Sequence, residues 1–411
     1  MVKLLLVPCS GGETSDLTRG ILNALKHDHN LGEDVEILGS SRSITIEKGT
    51  PKDNRYPLVV DYFDDGEVRA DIGKNELIDT IRGRHVVLIE HLLTPDREMF
   101  SDFIGQKVSV NDHVATVKGV LNLLSNTDAL GRILVAPYLT YVRSHSVEKY
   151  REQEFFQFDS LNMFLKEFQN SKLDTLVTLD PHSDKAKQIA EEFGMYYHAA
   201  NPFQSTRSLN PYKLGIADEK IDSVMNNLRP FHKRFEEMKK EYGNRLYLVS
   251  VDDGTEGRVE NFVDRCFAEL QPKEYYARVM YFDKRRVALD KSEYKVKPFS
   301  KINRKNVDKE GIYIIIDDMY ASGGTACDVG EILKKAGANR VEVWTSHVVT
   351  TPRQYEKSNN RPYIDALVCI DTVPRNDGLK VEYIPASTAL LASEIYKAHQ
   401  KLVNERLRRF R

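Results

Sequence analysis

The fold of this chain is decided by the stretch Gly311-Ile-Tyr-Ile-Ile-Ile-Asp-Asp-Met-Tyr-Ala-Ser-Gly-Gly-Thr325. Residues 312–316 form a short apolar run rich in β-branched side chains. Such a run is typical of a strand that is buried on both faces of a parallel sheet. Two carboxylates, Asp317 and Asp318, follow where this strand is expected to end. The stretch therefore predicts an α/β protein with an acidic pair at the carboxyl end of a central strand.

The loop and helix after the acidic pair have the features of a phosphate cradle. The phosphate loop consists of Ser322, Gly323, Gly324 and Thr325. From Val329 onward, apolar residues recur at i, i+3, i+4 and i+7, which predicts an amphipathic helix. N–H groups at a helix N-terminus carry partial positive charge, glycines allow close approach, and the two hydroxyls add donors. The preceding carboxylates can accept hydrogen bonds from vicinal hydroxyls and hold Mg²⁺. The alternative is an ordinary strand-to-helix turn with solvated aspartates.

Residues 317–325 resemble the ribose-5-phosphate loop of the type I phosphoribosyltransferase superfamily, where Asp-Asp precedes a loop ending in Thr-Gly-Gly-Thr. The family usually has a third acidic residue at the position of Ala321, and Thr at that of Ser322. The resemblance implies that Asp317 and Asp318 contact ribose hydroxyls and that the phosphate loop binds the 5-phosphate.

Composition excludes several classes of protein. The 411 residues suffice for two or three domains, and the formal net charge of −2 gives no electrostatic case for binding nucleic acid or an anionic membrane. No apolar run approaches the roughly 18 residues that span a bilayer. The four cysteines are scattered and form no C-x-x-C motif, so neither a zinc site nor a disulfide framework is indicated. We therefore expect a soluble, cytoplasmic protein with no nucleic-acid or membrane partner.

The N-terminal half resembles that of the ribose-phosphate diphosphokinases, commonly called PRPP synthetases. The matching segments are Phe63-Asp-Asp-Gly-Glu67, Arg82-Gly-Arg-His-Val86 and Ala136-Pro-Tyr-Leu-Thr-Tyr-Val-Arg143. In the family the acidic loop reaches a neighbouring subunit and contacts its ATP. The resemblance thus implies nucleotide contacts by Phe63, Asp65 and Glu67, in a homo-oligomer with this loop at a subunit interface. On its own, Asp-Gly between two strands is a turn signal.

A second ATP-binding segment of the family matches only in part. The family's Pro-Tyr strand continues into Arg-Gln-Asp, which helps to bind ATP. This chain has Arg143 followed by Ser144-His145-Ser146. The resemblance implies a nucleotide contact by Arg143 and leaves the identity of the nucleoside triphosphate open.

Two further segments imply a Mg²⁺ site. Asp180-Pro-His182 resembles the family's Asp-x-His, whose histidine lies at the Mg²⁺-triphosphate. Residues 250–254 resemble the family's diphosphate-binding loop, Ser-Pro-Asp-x-Gly-Gly, at the serine, the first aspartate and the glycine. The implied metal ligands are His182 and Asp252, since carboxylates are common ligands of Mg²⁺. The alternatives are a structural histidine and a plain loop.

The stretch Phe282-Asp-Lys-Arg-Arg286 resembles the family's flexible catalytic loop, whose first and third cations meet the transferring phosphoryl groups. The resemblance implies that Lys284 and Arg286 are catalytic. Preorganised cations stabilise the charge that spreads over the oxygens of a moving phosphoryl group. Three consecutive cations after a strand are otherwise typical of a solvated loop. A phosphoribosyltransferase would have little use for this segment, so it discriminates best between the two enzyme classes.

We therefore expect an α/β fold of two tandem phosphoribosyltransferase-like domains, 1–168 and 169–411, each a mostly parallel sheet flanked by helices. Their internal repeat is visible only as a similar order of strands, loops and helices. The resemblance implies Mg²⁺-dependent transfer of the diphosphoryl group of ATP to O1 of ribose 5-phosphate, giving PRPP and AMP. The alternatives are a phosphoribosyltransferase that consumes PRPP and a non-catalytic, synthetase-associated regulatory protein. Ala321 and residues 144–146 favour the second alternative.

Overall fold

The structure is a computed structural model that describes residues 2–10, 13–38, 58–62, 67–72, 75–95, 107–143, 158–204, 209–266, 278–288, 291–375 and 377–409. The strands are β1 (Leu4–Pro8), β2 (Val35–Ile37), β3 (Leu58–Tyr62), β4 (Val68–Ile72), β5 (His85–Ile89), β6 (Gly131–Ala136), β7 (Thr175–Leu179), β8 (Tyr196–Ala200), β9 (Leu246–Ser250), β10 (Val279–Ala288), β11 (Lys291–Val296), β12 (Ile312–Tyr320), β13 (Arg340–Val348), β14 (Ala366–Ile370) and β15 (Glu382–Ile384). The α-helices are α1 (Glu13–His27), α2 (Asn75–Ile81), α3 (Val110–Ser125), α4 (Ser160–Asn170), α5 (Lys185–Glu192), α6 (Ile221–Asn227), α7 (Pro230–Tyr242), α8 (Asp253–Cys266), α9 (Gly324–Lys335), α10 (Tyr355–Asn359) and α11 (Ser387–Arg409).

The chain forms two compact units. Unit 1 takes the described residues within 1–200, 210–224 and 387–411, and unit 2 takes those within 201–209 and 225–386. The predicted boundary between residues 168 and 169 falls inside unit 1. Strands β7 and β8 complete the sheet of unit 1, and the C-terminal helix α11 packs on β6, β7 and β8. The prediction divided the chain at a single position and therefore did not place the last helix, α11, in unit 1.

The sheet of unit 1 is parallel throughout, in the order β2-β1-β5-β6-β7-β8. Every residue of β1, β5 and β7 is buried. Continuous apolar strands are expected where helices cover both faces of a parallel sheet. Strands β3 and β4 form a separate antiparallel hairpin, as predicted for the segments that flank the acidic loop.

The sheet of unit 2 has the order β11-β10-β9-β12-β13-β14-β15, and its pairs are parallel except β10 with β11. The central strand is β12, and its side chains from Ile312 to Ile316 are at most 1% exposed. This strand continues beyond the predicted end, because Asp317, Met319 and Tyr320 still pair with β13. The α/β fold with two mostly parallel sheets flanked by helices is confirmed.

The helices are amphipathic, with their apolar faces buried. In α4 the buried residues are Leu161, Phe164, Leu165 and Phe168. In α9 they include Val329 and Leu333, and the chain leaves this helix at Gly337 with a φ of 102°. The predicted helix after the phosphate loop is therefore confirmed. Among the described helices, none has the length and apolar character needed to cross a membrane.

Both sheets share one topology. When the parallel strands of each unit are numbered along the chain, the spatial order is 2-1-3-4-5-6 in unit 1 and again in unit 2. The predicted internal repeat is present at this level. The chain order reverses between β1 and β5 in unit 1, and between β9 and β12 in unit 2. Ligands of open parallel sheets bind outside the carboxyl ends of the strands at such a switch point.

Candidate functional site

The switch point of unit 2 lies between the two strands that lead into the predicted binding loops. Strand β9 ends at Ser250 and is followed by Asp252, and β12 carries Asp317 and Asp318 near its carboxyl end. The two strands pair in parallel from Ile312 with Leu246 to Ile316 with Ser250. Because these strands are parallel, their carboxyl ends meet at one edge of the sheet, and the candidate site lies at this edge.

The phosphate loop leads into α9 with its N-terminal N–H donors available. Gly323 is the N-cap residue, with φ 71° and ψ 9°, and no described side chain caps this end. A Cβ atom at Gly323 would collide with the Tyr320 ring. Glycine is thus required by backbone conformation and by space alike. An uncapped N-terminus on a 12-residue helix suits an anion such as a phosphate group.

Replacing Gly323 with alanine is expected to lower the free energy of unfolding by about 1–3 kcal/mol, because a left-handed backbone and a clash are then combined. The matched control is Gly257→Ala in α8, where an added Cβ meets no atom within 4 Å. That change should be neutral or stabilising by up to about 1 kcal/mol. Urea unfolding measures both variants, and equal effects would contradict the structural role given to Gly323.

The acidic pair is held at the floor of the site. The Asp317 carboxylate accepts a hydrogen bond from the Asp318 amide at 2.9 Å, and Asp318 is 4% exposed. Burial raises the pKa of Asp317 well above its ordinary range, and the carboxylates of Asp318 and then Asp252 raise it further. The Arg258 guanidinium acts in the opposite direction. The Asp317 carboxyl group therefore lies close enough to those of Asp318 and Asp252 to feel their charge.

The loop after β9 is closed by its own hydrogen bonds. Asp252 Oδ1 accepts from the Thr255 amide at 3.1 Å, and Thr255 Oγ1 accepts from the amides of Val251 and Asp252 at 3.0 and 3.2 Å. The hydroxyls of Ser250 and Thr255 lie 2.9 Å apart. One Asp252 oxygen is thus used as the helix cap of α8. Of the two glycine-containing loops, the phosphate loop is the one with an uncapped helix.

Lys284 joins the phosphate loop from β10. Its Nζ donates a hydrogen bond to Thr325 Oγ1 at 2.9 Å, across 41 residues of sequence. Phe282 is fully buried, Asp283 is exposed and Lys284 is partly buried, as expected for alternation along a strand. The predicted flexible loop is therefore a hairpin strand, since residues 282–286 pair with β11. Arg286 lies two positions beyond Lys284, paired with Ser292.

The remaining predicted residues fall in unit 1 or outside the described residues. Phe63 and Asp65 lie outside them. Glu67 and Arg143 are exposed, and His182 is an exposed residue after β7. The structure thus brings together Lys284, Asp252, the acidic pair and the phosphate loop within unit 2. Across the described part of the chain, no group of three or more His, Cys, Asp or Glu side chains is arranged to hold a metal.

Two residues of the site were not predicted from the sequence. Tyr320 is 3% exposed and its ring occupies the space that a side chain at Gly323 would need, and Arg258 opposes the negative charge around Asp317. Strand alternation beyond Asp318 could have indicated the buried tyrosine. For the arginine, the available signal was its place in the second turn of the helix that starts at the switch point.

Comparisons with known proteins agree with these features. The chain is 23% identical over 347 residues to the ribose-phosphate pyrophosphokinase of Prochlorococcus marinus, covering 84% of each protein. It is 23% identical over 380 residues to ribose-phosphate pyrophosphokinase 1 of Listeria innocua, covering 92% of this chain and 93% of that protein. Its structure matches the phosphoribosylpyrophosphate synthetase from Mycobacterium smegmatis with a TM-score of 0.61 and 15% identity, over 97% and 99% of the two chains. No protein-family model matches the chain.

The structural match establishes the fold, and the two sequence alignments cover most of the length of each relative. Both relatives are named pyrophosphokinases, which is another word for diphosphokinases. The motifs that this sequence shares with the diphosphokinases occur in the same order along the chain. The low identity agrees with the substitutions at Ala321 and at residues 144–146. The chain is thus similar over most of its length to ribose-phosphate pyrophosphokinases, from which it diverges widely in sequence.

Proposed function

We propose that this protein transfers the β,γ-diphosphoryl group of ATP to O1 of ribose 5-phosphate. The O1 hydroxyl attacks the β-phosphorus, the bond from this phosphorus to the α,β-bridging oxygen breaks, and AMP leaves as PRPP forms. The hydroxyl proton passes to solvent. The observation that carries the proposal is the contact of Lys284 with Thr325, which joins the phosphoryl-transfer cation to the sugar-phosphate loop. A phosphoribosyltransferase has no evident need for this cation.

In this proposal the 5-phosphate binds to the uncapped N-terminus of α9 and to the hydroxyls of Ser322 and Thr325. Asp317 and Asp318 accept hydrogen bonds from the ribose hydroxyls. Lys284 and Arg286 stabilise the charge on the oxygens of the moving group. Phosphoryl transfer needs little covalent chemistry from the protein, so positioning and preorganised charge provide most of the catalysis.

Mg²⁺ is part of the proposal. Such an ion usually binds one or two carboxylates together with waters and substrate phosphates. Asp252 and the acidic pair supply such carboxylates, and a cation would offset the burial and the neighbouring negative charge that raise the Asp317 pKa. When bound, the ion would neutralise charge on the triphosphate. His182 is proposed as a further ligand on the resemblance of Asp180-Pro-His182 alone.

ATP contacts are proposed for Phe63, Asp65, Glu67 and Arg143, with the 63–67 loop at the interface of a homo-oligomer in the cytoplasm. These roles rely on the family resemblance and on the names of the relatives. Sedimentation of the active enzyme tests the assembly, and an active monomer would contradict it. The replaced segment 144–146 makes the donor nucleotide an open part of the proposal.

The decisive experiment is ³¹P NMR of the protein with Mg²⁺, ribose 5-phosphate and ATP, and in parallel with GTP and CTP. The expected result is the joint appearance of PRPP and the nucleoside monophosphate. Absence of product with every triphosphate would overturn the proposal. In that event retained binding of ribose 5-phosphate, measured by calorimetry, would favour the regulatory alternative, which Ala321 supports. Consumption of PRPP with a nucleobase would indicate a phosphoribosyltransferase instead.

A further inference from the structure

A buried threonine ties the segment before the phosphate loop to the end of the neighbouring strand. Thr350 Oγ1 donates a hydrogen bond to the Ala321 carbonyl oxygen at 2.7 Å and lies 3.4 Å from that of Tyr320. The amide of Val349 donates to the Tyr320 carbonyl at 2.9 Å. Thr350 is 2% exposed, so water does not compete for its hydroxyl. These contacts hold the chain between the end of β12 and the phosphate loop.

The bond to Ala321 fixes more than one carbonyl group. The peptide unit between Ala321 and Ser322 is planar and trans, so its C=O and N–H groups point in opposite directions. With the carbonyl held on Thr350, the N–H of Ser322 points away from Thr350. Ser322 is the first residue of the phosphate loop, and Gly323 follows in the left-handed conformation. The orientation of one peptide plane thus sets the entry into the loop.

We propose that Thr350 is a positioning residue for binding the 5-phosphate of ribose 5-phosphate, acting through the Ala321–Ser322 peptide on the phosphate loop. The inference relies on the function proposed above and extends it to a residue outside the sequence motif. Thr350 bonds at the position where this chain has alanine in place of the family's third acidic residue. Because Thr350 acts on the phosphate loop alone, loss of its hydroxyl should weaken the binding of ribose 5-phosphate and leave ATP binding unchanged.

The chain offers matched variants for the test. Thr350→Val removes the hydroxyl and keeps the shape, whereas Thr350→Ser keeps the hydroxyl. The control is Thr351→Val, because Thr351 is exposed and its side chain does not cap the short 3-10 helix that follows it, Pro352–Gln354. Each variant is compared with wild type by titration calorimetry with ribose 5-phosphate, by KM for both substrates and by kcat.

The expected result for Thr350→Val is a rise of about tenfold in Kd and KM for ribose 5-phosphate, as for loss of a buried hydrogen bond. The KM for ATP should stay at the wild-type value, and Thr350→Ser and Thr351→Val should behave as wild type. A KM effect without a kcat effect marks a change in substrate binding. A general loss of stability would change the KM values of both substrates together, and thermal unfolding would detect it.

Three outcomes would overturn the inference. Thr350→Val could bind ribose 5-phosphate as tightly as wild type, Thr350→Ser could fail to restore binding, or the KM values of both substrates could rise equally. Failure of the proposed function is distinguishable, because wild type itself would then form no PRPP with any triphosphate. If wild type also failed to bind ribose 5-phosphate, the inference would fall with the function. If wild type binds and reacts while Thr350→Val is silent, only the inference fails.

Discussion

Lys284→Ala is expected to reduce kcat by about 10²–10³-fold, the range found when one preorganised donor to a transition state is removed. The Lys284 ammonium group lies on the phosphate loop, 2.9 Å from Thr325 Oγ1. In the proposed function, this position lets the ammonium group contact both the sugar phosphate and the transferring phosphoryl group. Initial rates of AMP formation at saturating substrates measure the effect. Because the charge on the moving group develops in the transition state, kcat should fall more than substrate affinity.

Two control variants separate charge from packing. Lys284→Met keeps most of the aliphatic chain but removes the ammonium group, which lies 5.8 Å from the centroid of the Tyr294 ring, and should lose as much activity as the alanine variant. Lys295→Ala removes an exposed lysine beside Tyr294 on β11 and should keep wild-type rates. Thermal unfolding should be nearly unchanged for all three variants. Near-normal turnover of Lys284→Ala, or an equal loss for Lys295→Ala, would contradict the catalytic role.

The parts of the fold that are local in sequence could be predicted, and the parts that depend on distant pairing could not. The apolar run of β12 and the periodicity of α9 are visible in the sequence because burial on both faces and helical spacing leave local patterns. The extension of β12 to Tyr320 is decided by pairing with β13. The place of α11 in unit 1 depends on packing against β6–β8, far away in the chain.

The candidate site divides in the same way. The acidic pair and the phosphate loop are contiguous, so their chemistry could be predicted from one short stretch. The cations of β10 were predicted as a loop, because three successive charges hide the alternation that appears once Lys284 is paired with Tyr294. Thr350 has no local signal at all. Its partner Ala321 is 29 residues away, and the bond uses a backbone atom that is present at every position.

At Asp317 the requirements of function and stability are expected to conflict. Asp317→Asn should reduce kcat/KM by about 10²-fold, because the amide is a weaker acceptor for ribose hydroxyls and a weaker ligand for Mg²⁺ than the carboxylate. The same variant should raise the free energy of unfolding at pH 8 by about 1–3 kcal/mol, because the substitution removes the cost of a poorly compensated buried polar group. The Asn Oδ1 can still accept the hydrogen bond from the Asp318 amide.

The pH dependence gives this prediction its sign. Burial and the neighbouring carboxylate of Asp318 raise the pKa of Asp317 in the folded state. A carboxyl group with a raised pKa binds its proton more tightly when folded, so the wild type loses stability as pH rises from about 4 through the raised value. The asparagine variant has no group to titrate there. The difference in stability should therefore be close to zero near pH 4 and largest under alkaline conditions.

Urea unfolding at several pH values measures this difference, with Asp308→Asn as the control. The Asp308 carboxylate accepts hydrogen bonds from the Tyr247 hydroxyl at 2.8 Å and from the Glu310 amide at 3.0 Å, so its neutralisation should not stabilise the protein. A stability gain that is equal at all pH values, or absent, would show that the folded protein does not disfavour the charged form of Asp317. A gain that grows with pH while activity is lost would mean that the acidic pair is kept for binding, because folding alone favours its replacement.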